Sequence, residues 1–272
     1  MTVDFIYNFM SELLPGFLGN DFLLILAMLL PFFALFGFIT VYGFGVIYAE
    51  LKVSSFIQDK TGPMGQGYGF HAGKWGFLQP VADGLHLFFK EDIIPATADR
   101  PLFILAPFLI FIGMFVGIIA IPFGEAIIIS DMNIGIFYIL GVGSLAVIAL
   151  ILAGWSSNNK WALYGGMRSA AQIISYEIPA GLSLIVVILL ASSLSMQEII
   201  SYQSGGMFNW IIFDNPFMPI AFIIFFISAL AETNRTPFDL PESESELVAG
   251  FVTEYSGARY AFFFLSEYVN MF

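Results

Sequence analysis

The chain contains no cysteine, which excludes disulfides and any thiolate-held iron–sulfur cluster. Histidine is nearly as scarce. His71 and His86 are the only two, so a bis-histidine haem is a poor fit, and no set of side chains is spaced for a metal centre. If redox chemistry happens nearby, its electrons must arrive on another subunit. Positive charge is also in short supply: nine Lys+Arg stand against 21 Asp+Glu, a formal net charge of −12. That balance argues against nucleic acid, which asks for a basic face. Charged residues of both signs make up only 11% of the chain, against about 25% in a soluble domain. For 272 residues this is too little polar material to wrap a water-soluble core.

What is abundant is apolar length. Hydrophobic residues make up 58% of the chain, 32 of them phenylalanine, and the mean hydropathy is +0.87. A helix crosses roughly 30 Å of hydrocarbon with about 20 apolar residues. Runs at 22–47, 101–123, 134–155, 178–196, 217–231 and 258–272 read as membrane spans, the fifth short and the sixth cut by the chain end. The first run has no basic leader and reads as a retained span rather than a signal peptide. All nine basic residues fall in 50–100, 156–177 and 232–257, or just past the last of these at Arg259. The positive-inside rule makes these three segments cytoplasmic loops and puts the N-terminus outside. The expected fold is thus all-α: one integral membrane domain over 1–272, a polytopic helix bundle without a β-sheet.

Two nucleotide-binding patterns fail on inspection. Gly69 to Lys74 lacks the spacing and the following Ser or Thr of a phosphate loop. Gly67 to Ala72 has no strand before it and no βαβ unit around it; these glycines suit tight turns. From Leu78 to Lys90, Leu78, Val81, Leu85 and Phe88 share one helical face, and Gln79, Asp83, His86 and Lys90 the other. That pattern suits an amphipathic helix on the membrane surface or against a partner subunit.

The segment 231–257, AETNRTPFDLPESESELVAGFVTEYSG, is the densest in chemistry. Glu232, Asp239, Glu242, Glu244, Glu246 and Glu254 accompany a single Arg235. Composition alone allows a solvated acidic loop. Three features point further: the preceding run is too short to cross alone, Val248 to Val252 is apolar, and the like charges are dense. Partly desolvated carboxylates in such a group cannot all stay ionised, and carboxylates of that kind at membrane depth form proton relays. Glu177, just before the fourth run, has either that role or the plain one of an interfacial glutamate. Asp83, Glu91 and Asp92 read as a solvated face.

These residues carry a resemblance. The 231–257 segment with the following ARYAFFFLSEY closely resembles the signature of the H subunit of the proton-pumping NADH–quinone oxidoreductase, respiratory complex I, the family of mitochondrial membrane-arm subunit one. GWSSNNKWALYGGMRSAAQIISYEIPAGLSL, 154–184, and LQPVADGLHLFFKEDIIP, 78–95, are similar to the family as well. The resemblance implies a subunit at the joint of the membrane and peripheral arms, forming the chamber where quinone (ubiquinone or another) enters from the bilayer. It implies no cofactor bound by this chain, with NADH, FMN and iron–sulfur clusters on partner subunits, and a place in the cell inner membrane. By motif position it assigns an acidic proton relay to Glu177, Glu232, Asp239, Glu242, Glu244, Glu246 and Glu254, with Arg235 as counter-charge.

The chain departs from the family pattern at Leu51, Lys60 and His86, where the family carries arginine, arginine and lysine. Lysine does not reproduce arginine's two-pronged contacts. Family members have eight spans, so the chain reads as C-terminally incomplete. Two other classes share parts of the pattern. A paralogue in a membrane-bound hydrogenase, or in an oxidoreductase with another electron donor, would keep the fold and the acids; neighbouring genes discriminate it. A secondary transporter would show inverted repeats, and none is visible.

Overall fold

The computed structural model describes residues 6–8, 11, 20–64, 75–124, 128–241 and 243–271. His71, Lys74 and Glu242 lie outside the described residues, as does most of the glycine-rich stretch of the first loop. Helix α1, Asn20–Ile57, grows from the longest apolar run and continues past it for ten residues. At 38 residues it is about 57 Å long, enough to cross a bilayer and project beyond it. Helix α2, Gln79–Phe89, is the amphipathic segment. Helices α3, Arg100–Ile118, and α4, Gly135–Ser156, follow the second and third apolar runs. The described residues contain no strand.

Helix α5, Lys160–Ala191, departs from the sequence expectation. The stretch from Lys160 to Glu177, read as part of a loop, is its first half, and the helix stops at Ala191 rather than Met196. The side chain of Asn159 caps it, accepting a hydrogen bond of 2.9 Å from the Trp161 amide as N-cap residues do. Small residues then let it lie close on α4. A Cβ at Gly166 would come within 2.8 Å of the Leu150 carbonyl, and one at Gly154 within 2.6 Å of the Ala162 carbonyl. This is the small-residue packing of membrane helices. It explains why a hydropathy reading, which stops at Arg168 and Glu177, misses half the helix.

Short helices α6, Met196–Tyr202, and α7, Ile211–Asp214, lead to α8, Met218–Glu232. After the one-turn helix α9, Glu244–Leu247, a 3₁₀ turn at Gly250–Val252 precedes α10, Gly257–Asn270. Four helices, α1, α3, α4 and α5, are long and apolar enough to cross a membrane. Helices α8 and α10, with 15 and 14 residues, reach only about 21–23 Å. The main core joins α3, α4, α5 and α10 around Phe103, Ile110, Leu150 and Ile173, and Phe251, Val252 and Tyr255 insert into it. The Phe103 and Tyr255 rings stack with centroids 4.0 Å apart. The apolar part of the acidic segment is therefore interior. Wide apolar faces remain exposed on α1 and α8, among them Ile25, Phe33, Val41, Phe222 and Phe226, as lipid-facing helices require.

Candidate functional site

Ion pairs gather the polar segments at one end of the bundle. Arg235 Nη1 contacts Glu50 Oε1 at 2.8 Å, Arg168 Nη1 contacts Glu246 Oε2 at 2.6 Å, and Arg259 Nη1 contacts Asp92 Oδ1 at 2.9 Å. Each pair joins a different two of the segments 50–100, 160–177 and 232–260, or a second point on the same two.

The centre is the corner where α8 ends. Glu232 is the last residue of α8, one past the apolar run. The chain then turns through Asn234, whose φ of 52° lies in the left-handed region that asparagine tolerates. Buried Gln172 of α5 fixes this turn. Its Nε2 donates to the carbonyls of Ala231 and Phe238, both at 2.8 Å, and to Asn234 Oδ1 at 3.2 Å. The Tyr176 ring meets Phe238 edge to face. Glu177, one residue further along α5, is half-buried, and its like charge acts on Glu232.

Arg235 leaves this corner toward two other helices. Its Nη1 donates to Glu50 at the far end of α1, and its Nη2 lies 3.2 Å from Glu267 Oε1 of α10. The guanidinium sits 5.1 Å above the Tyr268 ring, and the Tyr268 hydroxyl donates to Glu50 Oε2 at 2.8 Å. Partial burial works against the arginine charge, but the Tyr268 side chain and the Glu267 and Glu50 carboxylates outweigh it and hold the group above its ordinary value. Asn270 Nδ2 donates to the Glu232 carbonyl at 3.3 Å, closing the corner against α10.

Two cavities flank α10. A small one of about 50 Å³ is lined by Glu232, Thr233, Asn234, Ser266, Glu267 and Asn270, with Ile110, Leu150 and Ile173 among its apolar walls. It has room for a few waters and the polar partners they need. A larger, apolar crevice of about 520 Å³ lies between α1, α2, α3 and α10. Phe36, Phe44, Ile47, Leu87, Phe111 and Leu265 line it, with Leu51 and His86, two positions that depart from the family pattern. Lys60, the third, hydrogen-bonds Gln58 at the exposed end of α1. Tyr260 and Phe264 line both cavities.

The acidic residues named from sequence thus divide. Glu177 and Glu232 face each other electrostatically at the α8 corner, and Arg235, on the same turn, pairs instead with Glu50 and Glu267. Glu246 is exposed and pairs with Arg168. Glu254, half-buried, accepts from Asn159 Nδ2 at 2.6 Å. Asp239 is exposed, and Glu244 opens α9. Glu50, Glu267, Tyr268 and Gln172 belong to the site and were not singled out by sequence reasoning. A lone carboxylate inside the apolar run 258–272 was the available signal for Glu267.

Fold and site together define a class: a multi-pass helical membrane protein with an ionisable cluster at one end of its bundle. The NADH dehydrogenase family model matches residues 29–272. The H subunit of NADH-quinone oxidoreductase from Chlorobaculum tepidum is 48% identical over 271 residues, covering 97% of this chain and 72% of that protein. The H subunits of Bacillus thuringiensis and Chlorobaculum parvum are each 48% identical, covering 95% and 97% of this chain and 73% and 71% of their own lengths. The chain belongs to this family, the H subunits of NADH–quinone oxidoreductase, and is a membrane component of that multisubunit oxidoreductase.

Proposed function

We propose that the apolar crevice between α1, α2 and α10 admits quinone from the bilayer, and that the carboxylate corner across α10 couples its reduction to proton transfer. The observation that carries this reading is the shared wall. Tyr260 and Phe264 face a crevice fit for a lipid-soluble molecule on one side and a cavity holding Glu232 and Glu267 on the other. Electrons come from NADH through flavin and iron–sulfur centres on partner subunits; this chain supplies no thiolate for a cluster. Glu232, which lines the small cavity, and Glu177, whose like charge acts on it, are the first carriers of the proton. Water in the small cavity extends the path to Glu267, with Glu246 and Glu254 further along the acidic segment. In this reading the end of the bundle that carries the ion pairs is cytoplasmic and the N-terminus outside, which the distribution of basic residues supports, and the membrane is the cell inner membrane. The quinone named in the relatives favours this reading over a hydrogenase paralogue.

The test uses the assembled complex in native membranes. Glu177→Gln or Glu232→Gln keeps the shape of the side chain and removes its titration. Quinone reduction and proton transfer should fall together by at least about tenfold, the scale of a lost proton-transfer group. Oxidation of NADH by an artificial acceptor, which takes electrons upstream, should survive. In the same membranes an impermeant thiol reagent should reach a Glu246→Cys variant from the cytoplasmic side and an Asp131→Cys variant from the other. Wild-type quinone reduction and pumping in both glutamine variants would refute the relay, and the reverse labelling pattern would refute the orientation.

A further inference from the structure

Tyr260, Phe264 and Tyr268 stand one turn apart on α10, a spacing that puts them on one helical face. They also touch in series. The Tyr260 and Phe264 rings stack with centroids 6.1 Å apart, and Phe264 meets Tyr268 edge to face at 4.9 Å. The first two rings line the apolar crevice. The third ends on the ion cluster, under the Arg235 guanidinium and hydrogen-bonded to Glu50. Close-packed rings do not deform continuously; a displaced ring moves its neighbour or breaks contact with it. A molecule that shifts Phe264 on entering the crevice therefore acts on Tyr268. Tyr268 cannot shift without changing both the hydrogen bond to Glu50 and the platform beneath Arg235. Arg235 is three residues from Glu232, on the turn pinned by Gln172.

We infer that the Tyr260–Phe264–Tyr268 ladder couples occupancy of the crevice to the Glu50–Arg235–Glu267 cluster, with Tyr268 as the positioning residue. The inference rests on the proposed roles of crevice and carboxylates. It adds a physical connection between them that neither cavity supplies alone: a row of side chains about two helical turns long, ending on a charge that two acids share.

A double-mutant cycle in the assembled complex tests it, since coupling between packed residues is measured by non-additivity. Phe264→Leu keeps an apolar side chain in the crevice wall and removes the ring. Tyr268→Phe keeps the ring and removes the hydroxyl. Tyr268→Phe should lower kcat for quinone reduction about tenfold, the worth of one hydrogen bond to a charged group, and Phe264→Leu, which acts through the same tyrosine, should lower it by a similar factor. The KM for quinone should stay within about twofold, because neither deleted group holds the ground state and the transition state equally. The double variant should be no slower than the slower single one. NADH oxidation by the artificial acceptor reports assembly, and Glu50→Gln replaces Tyr268→Phe in the cycle if the latter does not assemble. A raised KM with unchanged kcat in Phe264→Leu would make that ring a mere lining residue and overturn the inference, as would losses that simply add. Glu177→Gln, measured alongside, separates the two levels. If it is impaired while the ladder variants are normal, the ladder alone fails; if all are normal, the functional reading beneath it fails.

Discussion

Gln172 holds the site together from a helix that carries no other part of the Arg235 cluster. It is buried, and its amide nitrogen satisfies the carbonyls of Ala231 and Phe238. Gln172→Leu would keep much of the volume and strand the Phe238 carbonyl, at about 1–3 kcal/mol for a buried group left unpaired, while the Ala231 carbonyl would keep the 3.3 Å bond from the Asn234 amide. The expected outcome is a lower thermal inactivation temperature for quinone reductase activity, not restored by the shorter Gln172→Asn. Unchanged inactivation would show that the turn at Asn234 holds itself. At this scale the sequence was informative about residue type and silent about partners. Glu177, Glu232 and Arg235 stand out by charge among apolar neighbours. Their partners Glu50 and Glu267 lie 185 and 32 positions from Arg235, and only the crossing of α1 and α10 brings them in. The same limit explains Glu246 and Glu254. They read as one acidic group with Glu232, yet each is taken by a different partner, Arg168 and Asn159.

Among the elements, α5 is the one whose form hydropathy could not give. Its first half is a packing surface of Gly165, Gly166, Ser169 and Ala170 interrupted by charge, so it has neither an apolar run nor a polar face. Close approach also governs its contact with the acidic segment: a Cβ at Gly165 would lie 2.6 Å from the backbone of Gly250. Gly166→Ala should push α4 and α5 apart and reduce the amount of assembled complex, with a cost of about 1–3 kcal/mol expected for overpacking. Gly181→Ala on the same helix meets nothing within 4 Å and should assemble normally. Equal yields on native gels would mean that the helix pair is not held by this contact. The long spans α1, α3 and α4 were legible because lipid-facing surface forces continuous apolar sequence. The amphipathic α2 was legible by its period. In the structure Leu85 is exposed, while Phe88 and, from the opposite face, Asp83 and His86 line the crevice.

For the whole molecule, the organisation is a lipid-facing bundle with its arginines and their acidic partners drawn to one end. Ion pairs Arg235–Glu50, Arg168–Glu246 and Arg259–Asp92 tie segments far apart in sequence, and the two cavities share a wall on α10, the helix whose Glu267 also pairs with Arg235. The class of protein was legible from composition, and its family from the motifs at 154–184 and 231–257. The apolar crevice was not, because its walls come from four helices and no single stretch encodes it. The proposed coupling requires carboxylates at the α8 corner to change protonation when quinone is reduced. That change is read directly in the redox-induced infrared difference spectrum of the assembled complex, at the carbonyl stretch of protonated carboxylic acids. A band should change on quinone reduction and disappear in Glu177→Gln and Glu232→Gln while NADH oxidation by the artificial acceptor is intact. An identical carboxylic-acid band in wild type and both variants would contradict the coupling.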